Sequence, residues 1–205
     1  MQTKSVAVNL PNVLTIVRMF LVPLLVVVLL TEFEGRQILG VSKALVGAAI
    51  FGLASLTDFL DGYLARRRRQ VTWLGQVLDP IADKLLTSAA FISLVQVDLV
   101  PAWMVAIIIG REFAITGLRS LAYTRGITMP ASWLGKIKMA SQVAAILMVL
   151  VGWAGVPWLA TAGRIAMWVV MVTAVVSAFD YSRRFQLLVN ARVTDVNVAR
   201  ARRAS

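Results

Sequence analysis

The chain has 205 residues, 59% of them hydrophobic, and a formal net charge of +11. This apolar content is too high for a soluble domain of the same size, so we expect an integral membrane protein. The sequence contains no cysteine and no histidine, which excludes disulfides, Cys/His zinc sites, thiol nucleophiles and Ser-His-Asp triads. Proton transfer would fall to Asp, Glu, Lys or Tyr, and a metal held by side chains would be a hard ion with oxygen ligands.

Six apolar stretches follow one another along the chain. At a rise of ~1.5 Å per residue, each is long enough to cross a hydrocarbon core of ~30 Å. We therefore predict an all-α integral membrane protein with six transmembrane helices. A single membrane-embedded domain would comprise residues 1–205, with a short basic tail from about residue 182. The predicted spans are 12–30, 44–65, 77–97, 100–123, 137–155 and 158–179.

The basic residues lie mostly on one side of these spans. Six spans place both termini on the same side, and that side would hold 18 of the 21 Lys and Arg residues. The opposite loops hold Arg36, Lys43 and Arg164. Because Lys and Arg concentrate in cytoplasmic loops, we expect both termini in the cytoplasm. Topology and anionic lipid head groups best account for the basic tail; nucleic acid binding is less favoured, since aromatic interleaving is missing.

Four aspartates stand within or beside the second and third spans. Asp58 and Asp61 are three residues apart near the end of span 2, and Asp79 and Asp83 are four apart at the start of span 3. Either spacing places a pair on one helical face. The connection between the spans is short, so the two helices should be antiparallel neighbours. All four carboxylates would then lie at one depth, just below the cytoplasmic membrane surface.

Such a cluster is costly without cations. One carboxylate inside a span costs about 2.5–3.5 kcal/mol, and four add mutual repulsion. Arg66 and Lys84 neutralise two at most, whereas two divalent ions, Mg²⁺ or Mn²⁺, would neutralise all four. Paired ions suit phosphoryl-type transfer. The alternatives are salt-bridged helix ends and a cation or proton pathway, although a pathway needs polar groups across the whole bilayer.

Small residues accompany the acids. Gly62 and Ala65 follow the first pair, and Gly75 precedes Asp79 by four residues. They leave room for a ligand to approach the helix backbone. Close helix packing is the alternative role for each residue taken singly.

Together these residues form a longer pattern that resembles the signature of the CDP-alcohol phosphatidyltransferases. All eight signature positions and their spacing match. The pattern is Asp58-x-x-Asp61-Gly62-x-x-Ala65-Arg66, then eight residues, then Gly75-x-x-x-Asp79-x-x-x-Asp83.

The resemblance implies a six-helix membrane enzyme, usually a homodimer, that transfers a phosphatidyl group from CDP-diacylglycerol to an alcohol and releases CMP. It implies that Asp58, Asp61 and Asp79 hold two divalent ions. Asp83 would be the catalytic general base and a further metal ligand. The residues expected at CDP-diacylglycerol are Asp58, Gly62, Ala65, Arg66 and Gly75.

Further segments, among them "NLPNVLTIVRMFLVP", "GREFAITGLRSLA" and "WLGKIKMASQ", are similar to the phosphatidylglycerophosphate synthase branch of that family. This likeness implies glycerol 3-phosphate as the acceptor and the bacterial inner (cytoplasmic) membrane as the location, with the active site facing the cytoplasm. A dianionic phosphate needs a basic pocket. The candidates are Arg18, Arg111, Arg119, Lys136 and Lys138.

The role of these cations and the identity of the acceptor each have alternatives. Snorkelling to lipid phosphate or membrane topology would also account for the basic side chains. Glu112 would be an obvious partner of Arg111 only if the geometry allows it, because adjacent helical residues do not face each other. Inositol phosphate, or phosphatidylglycerol in cardiolipin synthesis, would keep the same fold and chemistry. A cation or lipid transporter is the alternative from another class of protein.

Overall fold

The structure, a computed structural model, describes the backbone of residues 10–32, 37–38, 40–68, 73–124 and 133–204. Side chains are described for residues 14–32, 37–38, 40–57, 81–122, 124 and 138–183. Within these residues, six helices and one short antiparallel hairpin follow one another. The elements are α1 (Leu10–Leu30), β1 (Gln37–Ile38), β2 (Val41–Ser42), α2 (Lys43–Arg68), α3 (Trp73–Gln96), α4 (Ala102–Thr124), α5 (Trp133–Trp153) and α6 (Pro157–Ala204).

Each predicted apolar span coincides with one helix, which confirms the all-α prediction. The sixth helix differs most from expectation, because α6 has 48 residues and continues through the basic tail to Ala204. Residues 182–204 contain neither proline nor glycine. Nothing in this segment stops a helix once it has begun, and its Arg, Ala and Leu residues favour helix.

Among the residues with described side chains, one helical segment is long and apolar enough to cross a membrane, the 27 residues Pro157–Arg183 of α6. Shorter apolar segments occur in three other helices, at Leu14–Leu30, Lys43–Thr57 and Lys138–Trp153. Large apolar side chains point outward from several helices, including Phe20 and Phe179, which are 73% and 75% exposed. Such surfaces indicate apolar surroundings rather than water. Six complete membrane crossings remain a prediction.

The helices pack around a common apolar core. Helix α1 lies against α2 and α3, α5 lies against α6 and α2, and α4 lies against α6 and α3. Leu29, Phe51, Phe91, Ile108 and Leu150 are among the buried core side chains, contributed by five different helices. In a bilayer, close van der Waals packing rather than exclusion of water stabilises such contacts.

Glycines allow α5 and α6 to approach most closely. A Cβ atom at Gly152 would lie 2.4 Å from the backbone nitrogen of Ala160, and one at Gly163 would lie 2.8 Å from that of Val149. The turn between the helices contains Gly155 with a φ of 111°, a conformation that L-residues with side chains rarely adopt. The two helices therefore form a tight hairpin, and both contribute polar side chains to the site described next.

Candidate active site

The backbone places the two aspartate pairs at matching depths on neighbouring helices. Helix α2 ends at Arg68, seven residues after Asp61, and α3 begins at Trp73, six residues before Asp79. Asp58 and Asp83 each lie ten residues from those helix ends. The two helices are in contact and follow one another after a short connection, so they run antiparallel. Both pairs thus lie about 10–15 Å along their helices from the same end of the bundle.

Among the four aspartates, the side chain is described for Asp83, which is partly buried. Its negative charge acts favourably on the neighbouring Lys84, and its carbonyl oxygen accepts a hydrogen bond of 3.0 Å from the Thr87 hydroxyl. The other predicted metal and CDP-diacylglycerol residues lie outside the described side chains, so their assignments stay predictions. They are Asp58, Asp61, Gly62, Ala65, Arg66, Gly75 and Asp79.

Arg111 lies on α4 with its guanidinium held by protein groups. Its Nη1 donates a hydrogen bond of 3.0 Å to Oε1 of Glu112, and its Nη2 donates one of 2.6 Å to Oγ of Ser177 on α6. The geometry therefore allows Glu112 to be a partner of Arg111, the condition on which the sequence left this pairing open. Although their Cβ atoms point in different directions, both side chains are long enough for their ends to meet.

Glu112 also joins α4 to α5. Its carboxylate forms an ion pair with Nζ of Lys138, and Nε2 of Gln142 lies 3.5 Å from the same oxygen. The Lys138 side chain is only 5% exposed, so its ammonium group is held away from solvent. Glu112 therefore supplies the counter-charge for two cations from different helices.

Arg119 is held by α6, two helical turns beyond Arg111. Its Nε donates a hydrogen bond of 3.1 Å to the phenolic oxygen of Tyr181, and its guanidinium carbon lies 5.7 Å from the centroid of the same ring. Both arginines of α4 thus have a hydroxyl partner on α6.

Lys84 connects this group of cations to the aspartate helices. The positive charges of Arg111 and Arg119 act on Lys84, and those of Arg111 and Lys84 act on Lys138. We call these four residues, Lys84, Arg111, Arg119 and Lys138, the basic cluster. Like charges that act on one another in apolar surroundings need anions, and Glu112 supplies one negative charge for these four cations. The arrangement is suited to an anionic ligand next to Asp83, since Lys84 follows it directly.

The remaining two acceptor candidates are placed differently. Arg18 is fully buried on α1, the helix that packs against α2 and α3. It lies eight residues after the start of α1, a depth similar to that of the aspartates. Lys136 is on α5, two residues before Lys138, and its side chain lies outside the described residues. The structure therefore brings together Arg111, Arg119 and Lys138.

Four polar residues around the basic cluster were not among the predicted site residues: Glu112, Gln142, Ser177 and Tyr181. A sequence signal exists for some of them, because Lys138 and Gln142, like Ser177 and Tyr181, are polar residues four positions apart on one helix. This spacing places each pair on one helical face. It does not say which helix that face contacts.

Comparisons with known proteins agree with the signature. The family model described as CDP-alcohol phosphatidyltransferase matches residues 8–179. The chain is 44% identical over 181 residues to the CDP-diacylglycerol–glycerol-3-phosphate 3-phosphatidyltransferase of Bacillus subtilis, covering 84% of this chain and 93% of the relative. It is 35% identical over 175 residues to the enzyme of the same name from Rickettsia felis, with coverage of 84% and 93%. A probable phosphatidylglycerophosphate synthase of Mycobacterium tuberculosis is 37% identical over 176 residues, covering 86% and 81%. The chain therefore belongs to the CDP-alcohol phosphatidyltransferase family.

Proposed function

We propose that this protein transfers the phosphatidyl group of CDP-diacylglycerol to glycerol 3-phosphate, giving phosphatidylglycerophosphate and CMP. The relatives named for this reaction support it, with identities of 35% and 44% over most of the chain. The observation that carries the proposal is the grouping of Arg111, Arg119 and Lys138 through their partners on α4, α5 and α6, together with Lys84, which directly follows Asp83. A phosphate monoester held there would bring its hydroxyl groups towards the aspartate helices.

The side chains have distinct parts in this reaction. Arg111, Arg119 and Lys138 bind the phosphate of the acceptor by charge-assisted hydrogen bonds. Asp83, as a carboxylate, takes the proton from the attacking hydroxyl of glycerol 3-phosphate. The acceptor oxygen forms a bond to the phosphatidyl phosphorus while the bond from that phosphorus to the CMP oxygen breaks. The products are therefore phosphatidylglycerophosphate and CMP, with the proton on Asp83.

The donor set of the aspartates fits two divalent ions, because Mg²⁺ and Mn²⁺ prefer carboxylate oxygens. Asp58, Asp61 and Asp79 would hold them, with Asp83 as a further ligand, on two antiparallel helices at one depth. When bound, such ions would polarise the diphosphate of CDP-diacylglycerol and neutralise the negative charge on the phosphate of the departing CMP. Gly62, Ala65, Arg66 and Gly75 would then line the CDP moiety.

The proposed setting is a bacterial cytoplasmic membrane. Exposed apolar side chains and the apolar α6 support membrane association. We propose six crossings in one domain, with both termini and the active site on the cytoplasmic side, as the distribution of Lys and Arg indicates. Anionic lipids would contact the basic end of α6, and the family resemblance favours a homodimer.

The experiment measures CMP release by the purified protein in detergent, with CDP-diacylglycerol and Mg²⁺. Glycerol 3-phosphate, inositol phosphate, serine and phosphatidylglycerol are offered separately. We expect release with glycerol 3-phosphate and its loss on adding a chelator. Release with inositol phosphate or phosphatidylglycerol instead would keep the chemistry but overturn the acceptor. No release with any acceptor would favour a transporter.

A further inference from the structure

Two hydroxyl groups on α6 contact the two arginines of α4. The Ser177 hydroxyl accepts a hydrogen bond of 2.6 Å from Arg111, and the Tyr181 hydroxyl accepts one of 3.1 Å from Arg119. Tyr181 is 9% exposed and packs with Ile115 and Ala122 of α4. Helix α6 carries none of the family signature, so its part in the site is visible only in the tertiary structure.

The spacing of these contacts along α4 and α6 favours convergence of the two guanidinium groups. Arg111 and Arg119 are eight residues apart, which corresponds to about 12 Å along the axis of α4. Their partners Ser177 and Tyr181 are four residues apart, or about 6 Å along α6. Helices α4 and α6 are separated in the chain by one helix and pack together, so the shorter spacing of the partners on α6 favours side-chain ends that lean towards each other.

Bringing two guanidinium groups together is unfavourable unless hydrogen-bond acceptors or anions stabilise them. Like charges at short range repel each other more strongly in a low-dielectric interior than in water. Both hydroxyl oxygens offset part of this cost by accepting hydrogen bonds from the charged groups. They do so without adding negative charge, which leaves the positive potential available for an anionic ligand.

Donors remain for such a ligand. A guanidinium has five N–H donors in a planar fork. In the part of the chain that the structure describes, the two Nη groups of Arg119 make no hydrogen bond, and Nε of Arg111 is buried with no hydrogen-bond acceptor. Two guanidinium forks that meet one ligand would match the three terminal oxygens of a phosphate monoester.

We propose that Ser177 and Tyr181 are positioning residues for the acceptor phosphate. They hold the guanidinium groups of Arg111 and Arg119 at a separation that suits a single phosphate monoester. This proposal rests on the proposed function and adds α6 to the residues that determine acceptor affinity. Neither residue touches the reacting atoms, so the effect should appear in acceptor binding rather than in the chemical step.

The test removes one oxygen at a time, in the variants Ser177→Ala and Tyr181→Phe. We expect each to raise KM for glycerol 3-phosphate about tenfold, as the loss of a hydrogen bond to a charged group implies. Both kcat and KM for CDP-diacylglycerol should stay within about twofold of the original values. Inhibition by inorganic phosphate, competing with glycerol 3-phosphate, should weaken in parallel. Ser182→Ala removes a hydroxyl from an exposed residue of the same helix and should change none of these quantities.

A second measurement separates positioning from general stability. Tyr181→Phe should have little further effect in an Arg119→Ala background, because the arginine that it positions is gone. Glycerol 3-phosphate should raise the unfolding temperature of Ser177→Ala and of Tyr181→Phe, each measured against its own ligand-free value, by less than it raises that of the original protein. This binding measurement does not need catalysis, so it tests the positioning role even if the proposed reaction fails.

Unchanged acceptor KM and unchanged stabilisation by glycerol 3-phosphate in both variants would overturn the proposal. An equal rise in KM for both substrates would also overturn it, since that result indicates a general structural defect. By contrast, an original protein that binds glycerol 3-phosphate but releases no CMP would contradict only the proposed function.

Discussion

The carboxylate of Glu112 on α4 pairs with the ammonium group of Lys138 on α5, and the same oxygen accepts a hydrogen bond from Arg111. One acidic side chain thus serves two cations that come from different helices. Only 5% of the Lys138 side chain is exposed, so solvent does little to replace a lost partner. Removing the negative charge would leave Lys138 and Arg111 uncompensated.

We expect Glu112→Gln to lower the free energy of unfolding by about 2 kcal/mol, less than for a fully buried pair because Glu112 is partly exposed. Lys138→Met should be destabilising too, but the double variant should lose less than the sum of the two. Thermal unfolding in one detergent measures all three. Thr116→Val, which removes only a hydroxyl bonded to the Glu112 backbone carbonyl, is the control. If the losses in the two single variants add up to the loss in the double variant, the Glu112–Lys138 interaction contributes nothing to the free energy of unfolding.

Asp83→Asn should lower kcat by about 10²-fold or more, because an amide does not accept the proton of the attacking hydroxyl. KM for CDP-diacylglycerol should change little. Steady-state CMP release measures both. The control is Asp98→Asn in the turn after α3, where the residue has a φ of 58° that asparagine also adopts. A large loss of donor binding with a modest loss of rate would instead make Asp83 mainly a metal ligand.

Arg111→Ala should chiefly weaken the acceptor, raising KM for glycerol 3-phosphate by about tenfold or more because a charge-assisted contact is lost. KM for CDP-diacylglycerol should remain close to its original value. Arg164→Ala, at an exposed position near the start of α6, provides a matched loss of charge away from the basic cluster. If the acceptor KM is unchanged, Arg111 does not belong to the pocket.

Metal removal should abolish activity reversibly. A chelator should stop CMP release, and added Mg²⁺ or Mn²⁺ should restore it, because four carboxylates at one depth need divalent counter-ions. Asp61→Asn and Asp79→Asn should raise the Mg²⁺ concentration required for half-maximal rate. The titration of rate against Mg²⁺ measures this requirement. Full activity in the presence of excess chelator would rule out the two-ion site.

Gly152→Ala should destabilise the α5–α6 hairpin by about 1–3 kcal/mol, since the added Cβ would lie 2.4 Å from the backbone of Ala160. Gly117→Ala on α4 is the matched control, because nothing lies within 4 Å of a Cβ at that position. The control should be neutral or stabilising by up to ~1 kcal/mol through helix propensity. Equal unfolding temperatures for the two variants would contradict the close packing seen here.

Much of this protein is determined by local sequence patterns. The apolar stretches predicted six helices within a few residues at most ends, because a run of about 20 apolar residues without helix breakers is typical of one helix. The spacing of Asp58 and Asp61, and of Asp79 and Asp83, predicted that each pair lies on one helical face. The short connection between the two helices predicted that both pairs lie at one depth. Periodicity within a helix, and the short connection between two helices, are properties that the sequence alone expresses.

Only the tertiary structure decided which helix faces meet. Ser177 lies 66 residues from Arg111, and Tyr181 lies 62 residues from Arg119. No local period relates such residues; their contact depends on how α4, α5 and α6 pack, which the glycines of the α5–α6 hairpin help to set. The pairing of Glu112 with Lys138 likewise depends on two long side chains that meet across the interface between α4 and α5. Local sequence patterns therefore locate the helices that carry the aspartates and predict metal chemistry for them, whereas helix packing assembles the basic cluster.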